Sequence, residues 1–357
     1  MAKQVKSPFK FLDSYDKDDK DIFFGRMQET YELYDRIRET NLVLLYGASG
    51  TGKTSLINCG LGNQFESTDW HPIFIRRKDN ILQSMREQLQ SCAVKKMSDD
   101  TPLIKRMQSL YMDHFKPIYL IFDQFEEIFI LGTKEEQEEF FEEIFHLLES
   151  DVQCKVLISM REEYIAHLSE YEDNIPYLFD NRLRVEKMNT KNLKDVIEGT
   201  AREFNIKLAG DNDRISELII KRLRDKNGEI DLANLQVYLD RLYRLDLERI
   251  EKNPTRTQVV FDEELIKQTG NLEDVMSEFL DEQLAILSTE LNENYKNVDG
   301  AVPMNILFEL VTDTGTKQAE DVEQIKKRLK QSKNIDAAVV DYCIQRFKEM
   351  RILRELS

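Results

Sequence analysis

Continuous apolar runs of strand length alternate with helical patterns through the first half of the chain. Residues 42–45 form the first run, and a helical stretch over 54–61 follows. Residues 73–75 form the second, followed by helical stretches over 81–89 and 103–115. Residues 118–122 and 156–158 give a third and a fourth run, and 183–185 a fifth. Uninterrupted apolar strands separated by helices predict a parallel sheet covered on both faces. The first half is therefore expected to be an α/β domain.

Beyond residue 188 the pattern is helical throughout. Val196, Ile197, Ala201 and Phe204 recur at helical spacing, as do Leu218, Ile219 and Leu223, and then Leu232, Leu235, Leu239, Leu242 and Tyr243. Pro254 and its polar neighbours mark a connection. A long helix over 272–295 is expected next, then a boundary at 297–303 and three short helices over 304–311, 321–331 and 337–349. Ile352 and Leu353 could open a strand. The chain divides accordingly into a lead-in (1–40), an α/β core (41–188), a helical region (189–296) and a terminal module (297–357).

Composition narrows the class. Apolar residues make up 41% and charged residues 33% of 357, enough for a sizeable core and for more than one domain. No apolar run approaches the roughly 20 residues of a membrane helix. Residues 1–10 carry lysines with no apolar stretch after them, so no secretion signal is read there and a cytoplasmic protein is expected. Cys59, Cys92, Cys154 and Cys343 are scattered, and His71, His114, His146 and His167 stand apart, which argues against a zinc site. Fifty basic against 67 acidic residues give a net charge of −17, unfavourable for a nucleic-acid binder unless basic groups are segregated. Only 13 residues are glycine, yet six of them (25, 47, 50, 52, 60 and 62) fall in one short stretch. Glycine gathers where backbone must come close to something.

That stretch holds Gly47-Ala48-Ser49-Gly50-Thr51-Gly52-Lys53-Thr54, the G-x-x-x-x-G-K-[S/T] pattern of a phosphate loop. It follows an apolar strand and opens a helix, as its chemistry requires. Glycines let backbone N–H groups turn inward around phosphates, and the positive end of the helix dipole faces the same anion. Lys53 supplies a mobile cation, and the Thr54 hydroxyl a magnesium ligand. A strand–turn–helix corner that merely tolerates glycine explains neither. The expected cofactors are ATP or ADP with Mg2+.

Asp123 closes the run 118–122, at the strand edge where parallel sheets bind ligands, and is the second expected magnesium ligand. Glu126 and Glu127 are the carboxylates available to position a hydrolytic water, with Glu126 preferred. Arg161, after the fourth run, could stabilise a γ-phosphate or pair with Glu162 or Glu163. Arg76 and Arg77 end the second run and read as structural, farther from the phosphates. The acidic residues Glu135, Glu136, Glu138, Glu139, Glu142 and Glu143 read as the solvated face of a helix.

Several segments together resemble the novel STAND branch of AAA+-related ATPases. They are Pro8-Phe9, Phe23-Phe24-Gly25-Arg26-Met27-Gln28-Glu29, the phosphate loop continued through Ser55-Leu56 and Gly60-Leu61, Asp123-Gln124-Phe125-Glu126-Glu127, Arg161, and Leu232-Ala233-Asn234-Leu235-Gln236. The resemblance implies an ATPase core, a helical lid over 189–296 and a winged-helix-like module from 297 whose wing would continue past Ser357. It places Gly25 and Arg26, with residues 47–55, at the nucleotide, with Gly25, Arg26 and Glu29 near the adenine. It also implies a slowly hydrolysing switch in bacterial signalling or anti-phage defence, monomeric with ADP and oligomeric on activation, with protein partners supplying the trigger. Relatives carry an effector or sensor domain that is not read in this chain, and their base-touching proline is Ala233 here. Competing readings are a DNA-handling AAA+ ATPase of the origin-binding type and a nucleotide-binding scaffold without turnover. A GTPase would need an [N/T]-K-x-D motif, which does not occur.

Overall fold

Five strands, β1 (Leu42–Gly47), β2 (His71–Ile75), β3 (Ile118–Phe122), β4 (Cys154–Arg161) and β5 (Arg182–Arg184), form one sheet in the order β2-β3-β4-β1-β5. Every pairing in it is parallel. The computed structural model describes residues 8–10, 13–98, 100–225, 227–253, 255–295, 298–311, 320–349 and 352–353. Side chains alternate between the two faces of a strand, and here both faces are buried. Leu42, Leu44, Leu120, Phe122, Val156 and Ile158 enter one apolar cluster, while Val43, Leu45, Tyr119, Ile121, Leu157 and Leu183 enter another. That is why these runs read as continuously apolar.

Helices cover both faces. α1 (Met27–Glu39) precedes β1, and α2 (Lys53–Ser55) follows it, continuing as a π-turn (Leu56–Gly60) and a 3-10 turn (Leu61–Asn63) rather than as one regular helix. α3 (Ile81–Cys92) and α4 (Leu103–His114) lie between β2 and β3; α5 (Glu127–Leu131) and α6 (Lys134–Leu148) lie between β3 and β4. α7 (Ile165–Leu168) follows β4. Side-chain caps start α3 and α6: Asn80 accepts from Gln83 N at 3.0 Å and Thr133 from Glu136 N at 3.3 Å.

α8 (Thr190–Glu203), α9 (Asn212–Leu223), α10 (Leu232–Lys252) and α11 (Glu263–Thr269) form the helical region after the sheet. It is not helical throughout: β6 (Lys207–Leu208) pairs in parallel with β7 (Val260–Phe261). Two-residue strands are too short to leave a period-2 signature.

Packing divides the chain into two compact units, Met1–Gln268 and Thr269–Leu356. The second contains α12 (Leu272–Asn294), α13 (Val302–Phe308), α14 (Val322–Lys333) and α15 (Ala337–Glu349). Leu284, Leu287 and Leu291 of α12 pack with Ile306, Leu329, Val340 and Phe347 in one core. α12 opens on a capping box between Asn271 and Asp274. Ile352 and Leu353 lie in a bend, not a strand, with both N–H groups directed to the Phe347 carbonyl. Pro254 and the expected wing of a winged helix lie outside the described residues. No helix among the described residues is long and apolar enough to cross a membrane.

Candidate functional site

The C-terminal edge of the sheet gathers the residues singled out above. The loop from Gly47 to Thr54 turns there because Gly50 and Gly52 take left-handed φ values of 76° and 86°, which residues with a Cβ rarely adopt. Gly47 has no room for a side chain, since a Cβ would come within 2.3 Å of the Val185 carbonyl oxygen. Lys53 Nζ donates to the carbonyls of Gly47 at 2.8 Å and Ala48 at 3.0 Å, folded over its own loop. Burial holds its ammonium below the ordinary lysine value, while the Glu126 and Asp123 carboxylates push it back up. Thr51 braces the loop through a hydrogen bond to Ala48 O at 3.0 Å, and Ser49 is exposed.

Thr54 Oγ1 lies 3.2 and 3.1 Å from the two oxygens of Asp123. Asp123 is buried. Ser159, fully buried on β4, directs its hydroxyl to Asp123 Oδ1 at 3.4 Å. A hydroxyl facing a carboxylate is a hard oxygen donor set of the kind Mg2+ takes. The glycine loop and Lys53 are the matching set for phosphates. These residues fit a magnesium–nucleotide complex.

After Asp123 the chain turns sharply, with Gln124 at φ 58°. The turn is held from both sides: Asp123 N–H donates to Ile75 O at 3.0 Å, and Phe125 N–H to Ser159 O at 2.9 Å. It carries Glu126 inward. The buried Glu126 carboxylate makes an ion pair with Arg161 Nε at 3.0 Å and accepts the Arg161 backbone N–H at 3.2 Å. Arg161 thus pairs with Glu126, while Glu162 pairs with Arg184 at 2.8 Å. Glu127 is half-buried and opens α5.

Arg76, read from sequence as remote, is not. Its Nη2 lies 2.7 Å from Asp123 Oδ2. β2 neighbours β3 with Ile75 opposite Phe122, so the next residue on each strand stands abreast at the sheet edge. Arg77 is structural: it makes a buried pair with Glu136 at 2.8 Å, and Glu136 also accepts Ile81 N–H at 2.7 Å. Glu136 therefore leaves the solvated face expected of its helix. Ser159 was missed as well, although it is the one polar residue in the run 156–160.

Gly25 and Arg26 support the loop from behind. Arg26 Nη2 donates to Thr51 O and Glu186 O, both at 2.8 Å, and its other arm pairs with Glu29. Gly25 has φ 77°, and a Cβ there would meet Asn192 O at 2.7 Å, so the segment lies tight against the start of α8. Ser55 Oγ accepts Tyr15 N–H at 3.1 Å, and Gln236 Oε1 accepts Lys10 N–H at 3.2 Å, which ties the lead-in to both the loop helix and α10. The start of α10 reaches the loop itself. A Cβ on Gly50 would lie 3.0 Å from the Asp231 carboxylate, and one on Gly52 would lie 3.5 Å from Leu232.

The profile of the novel STAND NTPase 1 family matches residues 8–355. No curated protein is significantly similar in sequence. Among solved structures, the chain is similar to the ORC1 protein of Aeropyrum pernix in complex with DNA, at 15% identity and TM-score 0.50, covering 93% of this chain and 85% of that one. It is similar to the ORC2 protein of the same organism in ADPNP–ADP complexes, at 12% identity and TM-score 0.50, covering 92% and 86%. A Walker-type ATPase of Pyrococcus abyssi gives 13% identity and TM-score 0.49 over 96% and 93%. At these identities the ORC likenesses show a shared P-loop ATPase fold and nothing finer.

Proposed function

This chain belongs to the novel STAND NTPase 1 family, and on that premise we propose that it is a slowly hydrolysing ATP switch of the cytoplasm, serving in signalling or anti-phage defence. The observation that carries the reading is the meeting of Thr54 and Asp123 beneath a glycine loop held by Lys53.

Mg2+, when bound, would supply positive charge to neutralise the phosphates of the nucleotide. The chain's residues have separate tasks. Thr54 and Asp123 would hold the ion, and the N–H groups of residues 50–54 would donate to phosphate oxygens. Lys53 would exchange the carbonyls of Gly47 and Ala48 for phosphate. Glu126 orients water, with Arg161 keeping the carboxylate in place and lending positive charge near the γ-phosphate. Arg26 and Gly25 act from behind, by fixing Thr51 and the entry to α8.

A ligand shifts a two-state equilibrium only by its differential affinity for the two states. Asp231 and Leu232, against Gly50 and Gly52, are where α10 would register the difference between ADP and ATP. We expect the chain to purify as a monomer retaining ADP, and to assemble when a protein partner supplies the trigger. Light scattering after size exclusion, with chromatography of extracted nucleotide, tests this; a stable nucleotide-free ring of many subunits would contradict it.

A second reading, a DNA-handling ATPase, is favoured by one observation. α14 carries Lys326, Lys327, Arg328, Lys330 and Lys333, of which Lys327, Lys330 and Lys333 are exposed. Duplex binding that weakens with salt and is lost in Lys327→Glu/Lys330→Glu would support it; no binding at low salt would remove it.

A further inference from the structure

Asp123 is asked to serve two cations. On its Oδ2, Arg76 Nη2 sits at 2.7 Å, closer than the Thr54 hydroxyl at 3.1 Å. A guanidinium and a divalent ion on one carboxylate repel each other, and the repulsion is strong where water is scarce. One partner must yield when the ion arrives. Asp123 is 6% exposed and held by Thr54 and Ser159, whereas Arg76 is 51% exposed and can swing into solvent without opening the core. The backbone beneath Arg76 stays fixed meanwhile, because Arg77 is anchored to Glu136, Leu131 O and Lys78 O.

We propose that Arg76 is a resident counter-ion of the metal position, which neutralises Asp123 until magnesium displaces it. It acts through Asp123 rather than on the nucleotide, and so sets how much magnesium is needed to load nucleotide. The inference rests on the nucleotide–magnesium reading given above, and it adds a residue that neither the phosphate loop nor the Asp-Gln-Phe-Glu-Glu segment contains. Arginine at this strand end makes the metal's entry a competition rather than a simple filling of a charged site.

The test is titration of MgCl2 at constant ionic strength into full-length protein carrying a fluorescent ADP analogue. The readout is the magnesium concentration at half-maximal binding, and turnover is not involved. In Arg76→Gln that concentration is expected to fall about three- to fivefold, the range a half-exposed ion pair supports. Arg76→Lys keeps the charge without the planar fork and is expected between the two. Arg76→Met, which also removes the charge, guards against a fault peculiar to glutamine. A half-point that is unchanged or raised in both neutral variants would overturn the role of Arg76 while leaving the nucleotide site intact. A wild-type chain that binds no ADP analogue at any magnesium concentration would instead overturn the nucleotide reading, and this proposal with it.

Discussion

The carboxylate of Glu126 holds Arg161 twice, through the side-chain Nε at 3.0 Å and the backbone N–H at 3.2 Å. Two residues that sequence offered separately, as a water-positioning acid and a γ-phosphate cation, are thus one ion-paired unit, buried on the Glu126 side. The pair also bears on Lys53, whose strongest opposite charge is Glu126. The buried Glu126, whose charge acts on the phosphate-loop lysine, is the carboxylate we propose to position water, ahead of Glu127, half-buried at the start of α5.

Glu126→Gln is expected to lower the ATP hydrolysis rate by about 10²-fold, the lower end of what a positioned acid or base contributes, with magnesium-ATP affinity kept. Glu127→Gln is expected to hydrolyse within a fewfold of wild type. Single-turnover hydrolysis beside calorimetric binding separates the two. A normal rate in Glu126→Gln with loss in Glu127→Gln would transfer the role.

Much of this site was legible because its signals are local. The phosphate loop is eight consecutive residues, and Asp123 ends an unbroken apolar run. Arg76 was not legible, because its partner is set by strand order: β2 flanks β3 at the edge, and no local pattern encodes which strands are neighbours. Glu136 reads as one more acid on a charged helix, and only its register against Arg77 buries it. His71 and His114 read as isolated, yet their rings stack at 4.2 Å. The β6–β7 pairing falls below the length at which periodicity can speak.

The Arg77–Glu136 pair yields a stability prediction. Both side chains are nearly inaccessible, at 7% and 5% exposure, and removing one partner strands a buried charge. Arg77→Ala is expected to destabilise the first unit by about 3 kcal/mol in urea unfolding followed by tryptophan fluorescence at Trp70. A change below about 0.5 kcal/mol, typical of surface positions, would mean that Glu136 finds water in the variant.

His71 carries a pH prediction. Burial, helped by His114 and Lys116, holds its folded-state pKa below the ordinary 6.5. The unfolded chain therefore binds more protons than the folded one as pH drops. Stability from this group is intact above pH 6.5 and is lost as pH falls from there to the lowered folded value. Thermal melts between pH 7.5 and 5 are expected to show a smaller acid-side decline in His71→Phe than in wild type. Parallel curves would show that the stacked pair does not couple to folding.

The central claim is that the loop from Gly47 to Thr54 binds magnesium-ATP, and calorimetric titration of wild type against Lys53→Ala tests it most directly. Stripped of carried nucleotide, wild type is expected to bind one equivalent. Lys53→Ala is expected to lose at least about tenfold in affinity, the scale of one charge-assisted contact to phosphate, with an unchanged melting temperature in the absence of nucleotide. Equal affinity in a folded Lys53→Ala would contradict the assignment of this loop as the nucleotide site.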